Sequence, residues 1–97
     1  ADMRMKIRAT EAWFDETIAR IDKGDINEEL VADICLLKNQ ATQTLQHCAN
    51  EAVQILGGMG FMRGSSTERI YREVKVNMIG GGAEEIMKDL AARQLGL

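Results

Sequence analysis

The chain of 97 residues contains no proline, two cysteines, one histidine and only 4% aromatic residues, and each scarcity removes options. Without proline, nothing in the sequence obliges a helix to kink or stop, so long uninterrupted helices are open to it. Cys35 and Cys48, thirteen positions apart, lie about 20 Å apart if one helix carries both, beyond the roughly 7 Å that a disulfide allows. Both read as reduced core residues of a reducing compartment. A solitary His47, with no Cys or carboxylate at ligand spacing, reads as a surface or boundary residue, and no zinc site is legible. Net charge is −3, with 15 acidic against 12 basic residues, which supplies no excess of cations for a phosphate backbone and speaks against nucleic acid. No apolar run approaches the roughly 18 residues that span a bilayer, and no secretory leader pattern is visible.

What is present is helical periodicity. Met3, Ile7, Thr10, Phe14, Ile18 and Ile21 recur at spacings of three and four, predicting a first helix that Gly24 ends. Asp25, with Glu28 three residues on, reads as a cap. A second, long helix follows, its stripe traced by Leu30, Ile34, Leu37, Ala41, Leu45, Cys48, Ala52 and Ile55. It stops at Gly57-Gly58. Ser65-Ser66-Thr67-Glu68 is a capping box opening a third helix with Ile70, Val74 and Met78 inside. Three successive glycines, 80 to 82, would cost about 3 kcal/mol in a helix interior, so the chain is expected to break there. Gly82 then reads as the N-cap of a fourth helix, Ala83 to about Leu95, with Ile86, Leu90 and Ala91 facing inward. The fold class is all-α, an up-down bundle of four helices with antiparallel neighbours.

Most of these features carry structural explanations. Glycine corners close helices. Glu84 and Glu85 occupy a first helical turn, where the macrodipole favours negative charge by about 0.3–1 kcal/mol each. Arg69, Arg72 and Lys75, interleaved with Glu68 and Glu73, form an ordinary solvated face, and no Ser-His-Asp or Cys-His arrangement offers a nucleophile. Two glycine-rich corners where ordinary caps would serve nevertheless point to close backbone approach by a ligand, and the second corner faces the positive end of a helix, which suits a phosphate-bearing or electron-rich visitor.

The order of the corners is more specific than either alone. QILGGMGFMRGSSTERIYREVKVNMIGGGAEEIMKDLAARQLG resembles the end of the acyl-CoA dehydrogenase family, in which a Gln-x-x-Gly-Gly-x-Gly-(Phe/Tyr) turn, a Glu-Arg-x-x-Arg helix and an Ile-x-x-Gly-(Thr)-x-(Glu/Gln)-Ile segment follow in that order. The resemblance spans about residues 45 to 97, and residues 1 to 44 fit the preceding helix and the start of the long one. It implies residues 1–97 are the C-terminal helical bundle of an FAD-dependent enzyme, with N-terminal helical and middle β domains elsewhere, that converts acyl-CoA thioesters to trans-2-enoyl-CoA. A chain that begins Ala1-Asp2-Met3, already in helical register, is expected to be a piece of such a protein.

By the same resemblance, Gln54, Ile55, Leu56, Gly57 and Gly58 meet the ADP portion of a neighbouring subunit's FAD. Gly82 lies beside the thioester, and Ala83, Glu84 and Glu85 touch flavin. The family's partners are an acyl-CoA, electron-transferring flavoprotein and further copies in a homotetramer, in bacterial cytoplasm or mitochondrial matrix. This sequence departs from the pattern at two places. Gly81 stands where many members carry the catalytic glutamate, and Ala83 where threonine is usual. The long-chain, isovaleryl and related bacterial branches are the best match, and in the first two the glutamate sits on an earlier helix, so the base is expected upstream of Ala1 and the 97 residues alone are expected to be inactive. Two other readings share these features: a flavin monooxygenase or nitroalkane-type oxidase on the same scaffold, and a non-catalytic helical interaction module.

Overall fold

The computed structural model describes residues 1–97. Four long helices and one single-turn helix follow one another: α1 (Asp2–Asp22), α2 (Glu28–Leu56), α3 (Gly58–Phe61), α4 (Ser66–Ile79) and α5 (Glu84–Gln94). The all-α bundle expected from the periodicity is therefore present, with α3 as an addition inside the first glycine corner.

α1 closes through Gly24, whose φ of 76° lets its own amide and that of Asp25 turn back onto the Ile21 and Arg20 carbonyls at 3.0 and 3.1 Å. That closure relocates the next cap. Asp25 was expected to start α2, but its amide is spent on closing α1. Asn27 instead takes the extended conformation, and its side chain accepts from Leu30 N at 2.8 Å. At α4 the capping box forms by half: Ser65 Oγ accepts from Glu68 N at 3.2 Å, while the Glu68 carboxylate turns to Arg72 at 3.0 Å rather than back to the cap. Gly82 is not the cap of α5. Ala83 holds that position, in extended backbone and without a side-chain acceptor.

α2 is the spine. α1, α4 and α5 each pack on it, and α3 joins it to α4. α1 runs antiparallel to α2 along a partly polar seam in which Thr10 meets Thr44 at 3.1 Å and Arg20 bonds Asp33 at 2.6 Å. The hydrogen bond to Asp33 comes first among the causes that raise the Arg20 pKa above its ordinary value. α4 lies against the C-terminal half of α2, where Tyr71, Val74 and Lys75 face Gln43, His47 and Asn50. α5 lies against the N-terminal half, where Ala91 packs with Ala32 and Cys35. The chain thus runs on in one direction past the second glycine corner instead of reversing there.

This arrangement explains which apolar residues are buried. A helix with neighbours on several sides buries residues around its circumference, so α2 covers Leu30, Ala32, Cys35, Leu37 and Ala49 rather than one stripe. Of the expected stripe, Leu30 and Leu37 are inside, whereas Ile34, Leu45 and Ile55 are exposed. In α4, Val74 and Met78 are buried as expected, and Ile70 is exposed. In α5, Ala91 faces inward, Leu90 is exposed and Ile86 is 60% exposed, its expected place being taken by Met87. Only 12 of 97 residues are buried, and Phe14, Ile18 and Ile21 of α1 remain uncovered, so the apolar surface exceeds what these helices cover among themselves.

Candidate functional site

The first corner divides its glycines between two tasks. Gly57 ends α2 with φ 63° and ψ −141°, a conformation reserved for glycine, and its amide closes on the Val53 and Gln54 carbonyls at 2.9 and 3.3 Å. Gly60 is buried for packing: a methyl there would lie 2.8 Å from Leu56 Cβ and 3.1 Å from the Val53 carbonyl oxygen. Its own carbonyl accepts from Ser65 Oγ at 3.2 Å and Thr67 Oγ1 at 3.0 Å, tying α3 to the start of α4. Gly57 and Gly58 face open space, with nothing within 4 Å of an added Cβ. The amides of Gly58 and Met59 have no backbone acceptor. Gln54, Ile55 and Leu56 are exposed beside them, so the five residues predicted at this corner form one continuous exposed surface.

The second corner is held from below. Gly80 N closes α4 on the Val76 carbonyl at 2.7 Å; Gly81 and Gly82 then take φ of 72° and 125°. The amides of Gly81, Gly82 and Ala83 have no backbone acceptor. Gly81 is exposed, with no side chain to act as a base. Glu85 is also exposed. Glu84 is half-buried, and its Oε1 is enclosed without a partner. A small cavity of about 190 Å³ is lined by Lys75, Met78, Ile79, Ala83, Glu84 and Glu85. From α2, Lys38 Nζ donates to the Gly82 carbonyl, and Asn39 Nδ2 donates to the Glu84 carbonyl at 3.0 Å. Sequence reasoning passed over Lys38 and Asn39. Their signal was a polar pair directly after the apolar run Ile34-Cys35-Leu36-Leu37.

Elsewhere, Arg69 and Arg72 pair with Glu73 and Glu68 at 3.5 and 3.0 Å on the solvated face. His47 is half-buried at the α2–α4 seam with Nε2 unpartnered, beside a polar cavity of about 460 Å³ shared with Gln43, Asn50, Tyr71 and Lys75. Cys35 and Cys48 are both free thiols.

These corners belong to a known architecture. Residues 1–96 match the model of the acyl-CoA dehydrogenase C-terminal domain. A crystal structure assigned as an acyl-CoA dehydrogenase from Mycobacterium smegmatis superposes with a TM-score of 0.91 at 39% identity, over 97% of this chain and 24% of that one. Cyclohex-1-ene-1-carbonyl-CoA dehydrogenase of Geobacter metallireducens is 30% identical over 95 residues, covering 98% of this chain and 24% of the relative. Mitochondrial isovaleryl-CoA dehydrogenase of Solanum tuberosum is likewise 30% identical over 95 residues, covering 98% and 22%. The chain belongs to the acyl-CoA dehydrogenase family, and it spans about a quarter of the length of these relatives.

FAD is the cofactor that this family implies, and the residues fit it. The unbonded amides of Gly58 and Met59 and the absent Cβ atoms of Gly57 and Gly58 suit a pyrophosphate, and the unbonded amides ahead of α5 suit an electron-rich ring.

Proposed function

We propose that this chain is the helical C-terminal domain of an FAD-dependent acyl-CoA dehydrogenase, contributing cofactor contacts and assembly surface to the α,β-dehydrogenation of an acyl-CoA thioester. The observation that carries the reading is the coincidence, within a family match over residues 1–96, of two glycine corners that each leave amides without a backbone acceptor, Gly58 and Met59 at the first and Gly81, Gly82 and Ala83 at the second. Bound FAD supplies the hydride acceptor for the β-carbon once a carboxylate has taken the α-proton.

The chain's own part is to bind and orient. Amides at Gly58 and Met59, with the Gln54 side-chain amide beside them, take the ADP portion of a neighbouring subunit's FAD. Gly82, where Met87 fills the space a Cβ would need, lies beside the thioester, and Ala83, Glu84 and Glu85 set the start of α5 against flavin. The two carboxylates lower the positive potential at that helix end, so the unbonded amides and Lys38 carry the attraction for electron density. Gly81 cannot remove a proton, and the base comes from a residue outside this chain.

The uncovered faces of α1 and α2 meet the other domains and further copies in a homotetramer. Electron-transferring flavoprotein is the acceptor, and the enzyme works in bacterial cytoplasm or mitochondrial matrix, a reading supported by one bacterial and one mitochondrial relative among the matches. The test is the full-length enzyme: it is purified yellow with one FAD per subunit and is reduced by an acyl-CoA, while the 97 residues with added FAD and an electron acceptor show no turnover. A colourless full-length protein that takes up no FAD refutes the reading.

A further inference from the structure

α2 turns two adjacent polar side chains onto the second corner. Lys38 is half-buried, and no carboxylate lies within 4 Å of its ammonium, so its bond to the Gly82 carbonyl is its one polar contact in the chain. Asn39, 4% exposed, reaches the Glu84 carbonyl with Nδ2 and leaves Oδ1 enclosed without a partner. Covering a cation and an orphaned amide oxygen weakens a bundle, and apolar residues at both positions would pack better. The pair is better explained by what it does to the corner than by what it adds to the core.

Planarity of the peptide unit sets the effect. In a trans peptide the C=O and N–H vectors point in opposite directions. Drawing the Gly82 carbonyl down onto Lys38 therefore turns the Ala83 N–H away from α2, where it has no backbone acceptor. Gly82, at φ 125°, has no side chain to fix that plane, so the bond from α2 fixes it. The ammonium also places a full positive charge behind the amides that precede Glu84 and Glu85.

We propose that Lys38 is a positioning residue of the flavin site: it orients the Gly82–Ala83 peptide and sets a positive potential there that favours the reduced, more electron-rich cofactor. The inference rests on the proposed placement of flavin at Ala83–Glu85. A unit charge about 10 Å away at an effective permittivity of about 20 shifts such an equilibrium roughly tenfold.

The test compares the flavin reduction potential of the full-length holoenzyme, by equilibration with a redox dye, among the parent protein, Lys38→Met, Lys38→Arg and, as a charge control, the exposed Lys88→Met. Expected is a roughly tenfold less favourable reduction in Lys38→Met, about 30 mV for a two-electron couple, with Lys38→Arg and Lys88→Met within about threefold of the parent. A parent protein without flavin sinks the proposed function, and this inference with it. A flavin-bound Lys38→Met within threefold of the parent sinks the Lys38 role alone, as does a Lys88→Met shift of equal size. If Lys38→Met does not fold, Lys38→Gln is judged by the same threefold criterion, and a folded Lys38→Gln that binds no flavin also counts against the proposal.

Discussion

Adjacent alanine substitutions at Gly57 and Gly58 separate the folding task of the first corner from the binding task proposed for it. Neither new methyl meets an atom within 4 Å, so packing contributes nothing to either change. At Gly57 the cost is torsional: φ 63° with ψ −141° lies in a region that residues with a Cβ occupy at about 1–3 kcal/mol. Gly58 has an ordinary helical backbone in α3, and alanine there gains about 0.5–1 kcal/mol by restricting the unfolded chain. With about 4–8 °C per kcal/mol for a domain of this size, Gly57→Ala lowers the melting temperature by roughly 4–24 °C and Gly58→Ala raises it by a few degrees. Ellipticity at about 222 nm during heating of the chain reads both. Flavin fluorescence titration of the full-length protein supplies the other half: Gly58→Ala, although stabilising, weakens FAD binding about tenfold because its methyl occupies the approach of the phosphate. Equal melting temperatures for the two variants refute the torsional argument. Unchanged FAD affinity in Gly58→Ala refutes the close approach.

Ser65→Ala removes the acceptor of the Glu68 amide and costs about 1 kcal/mol, readable as a lower urea midpoint; no change would mean the cap is redundant. Gly60→Ala forces a methyl against Leu56 Cβ and the Val53 carbonyl and costs about 1–3 kcal/mol by overpacking, so it is more damaging than Gly58→Ala although two residues away. The raised Arg20 pKa gives a stability contribution present in full below the unfolded-state value and lost only as pH climbs through the folded one, in strongly alkaline solution. The difference in urea midpoint between the parent and Arg20→Met therefore stays constant from about pH 6 to about pH 9; a difference that doubles over that range would show the wrong group to be titrating.

Helix existence was legible because 3.6-residue periodicity and the glycine corners are local signals. Gly24, Gly57 and the run from 80 to 82 ended helices where expected, and Ser65 capped α4. The facing of α2 was not legible, since a single stripe presumes a single neighbour. Three helices sharing α2 buried Ala32 and Ala49 and left Ile34 and Ile55 outside, an outcome decided by tertiary contacts. Asp25 lost its expected capping role because its amide closes α1, and Gly82 lost its role because the first helical bond of α5 runs from Met87 N to the Ala83 carbonyl. The two corners were readable because Gly57, Gly81 and Gly82 take positive φ, which glycine supplies most cheaply, but Lys38 and Asn39, more than forty positions from the corner they bond, carried no sequence cue beyond their polarity.

α4 and α5 both pack on α2, and along that one helix Lys38 and Gly57 are 19 positions apart, about 28 Å. The helix is a ruler between the two corners proposed to meet FAD. Removing four residues from that stretch shortens the ruler by about 6 Å and swings one grip about 40° around the axis relative to the other. Point substitutions leave both marks in place, so this stretch of the gene tolerates replacement far better than insertion or deletion.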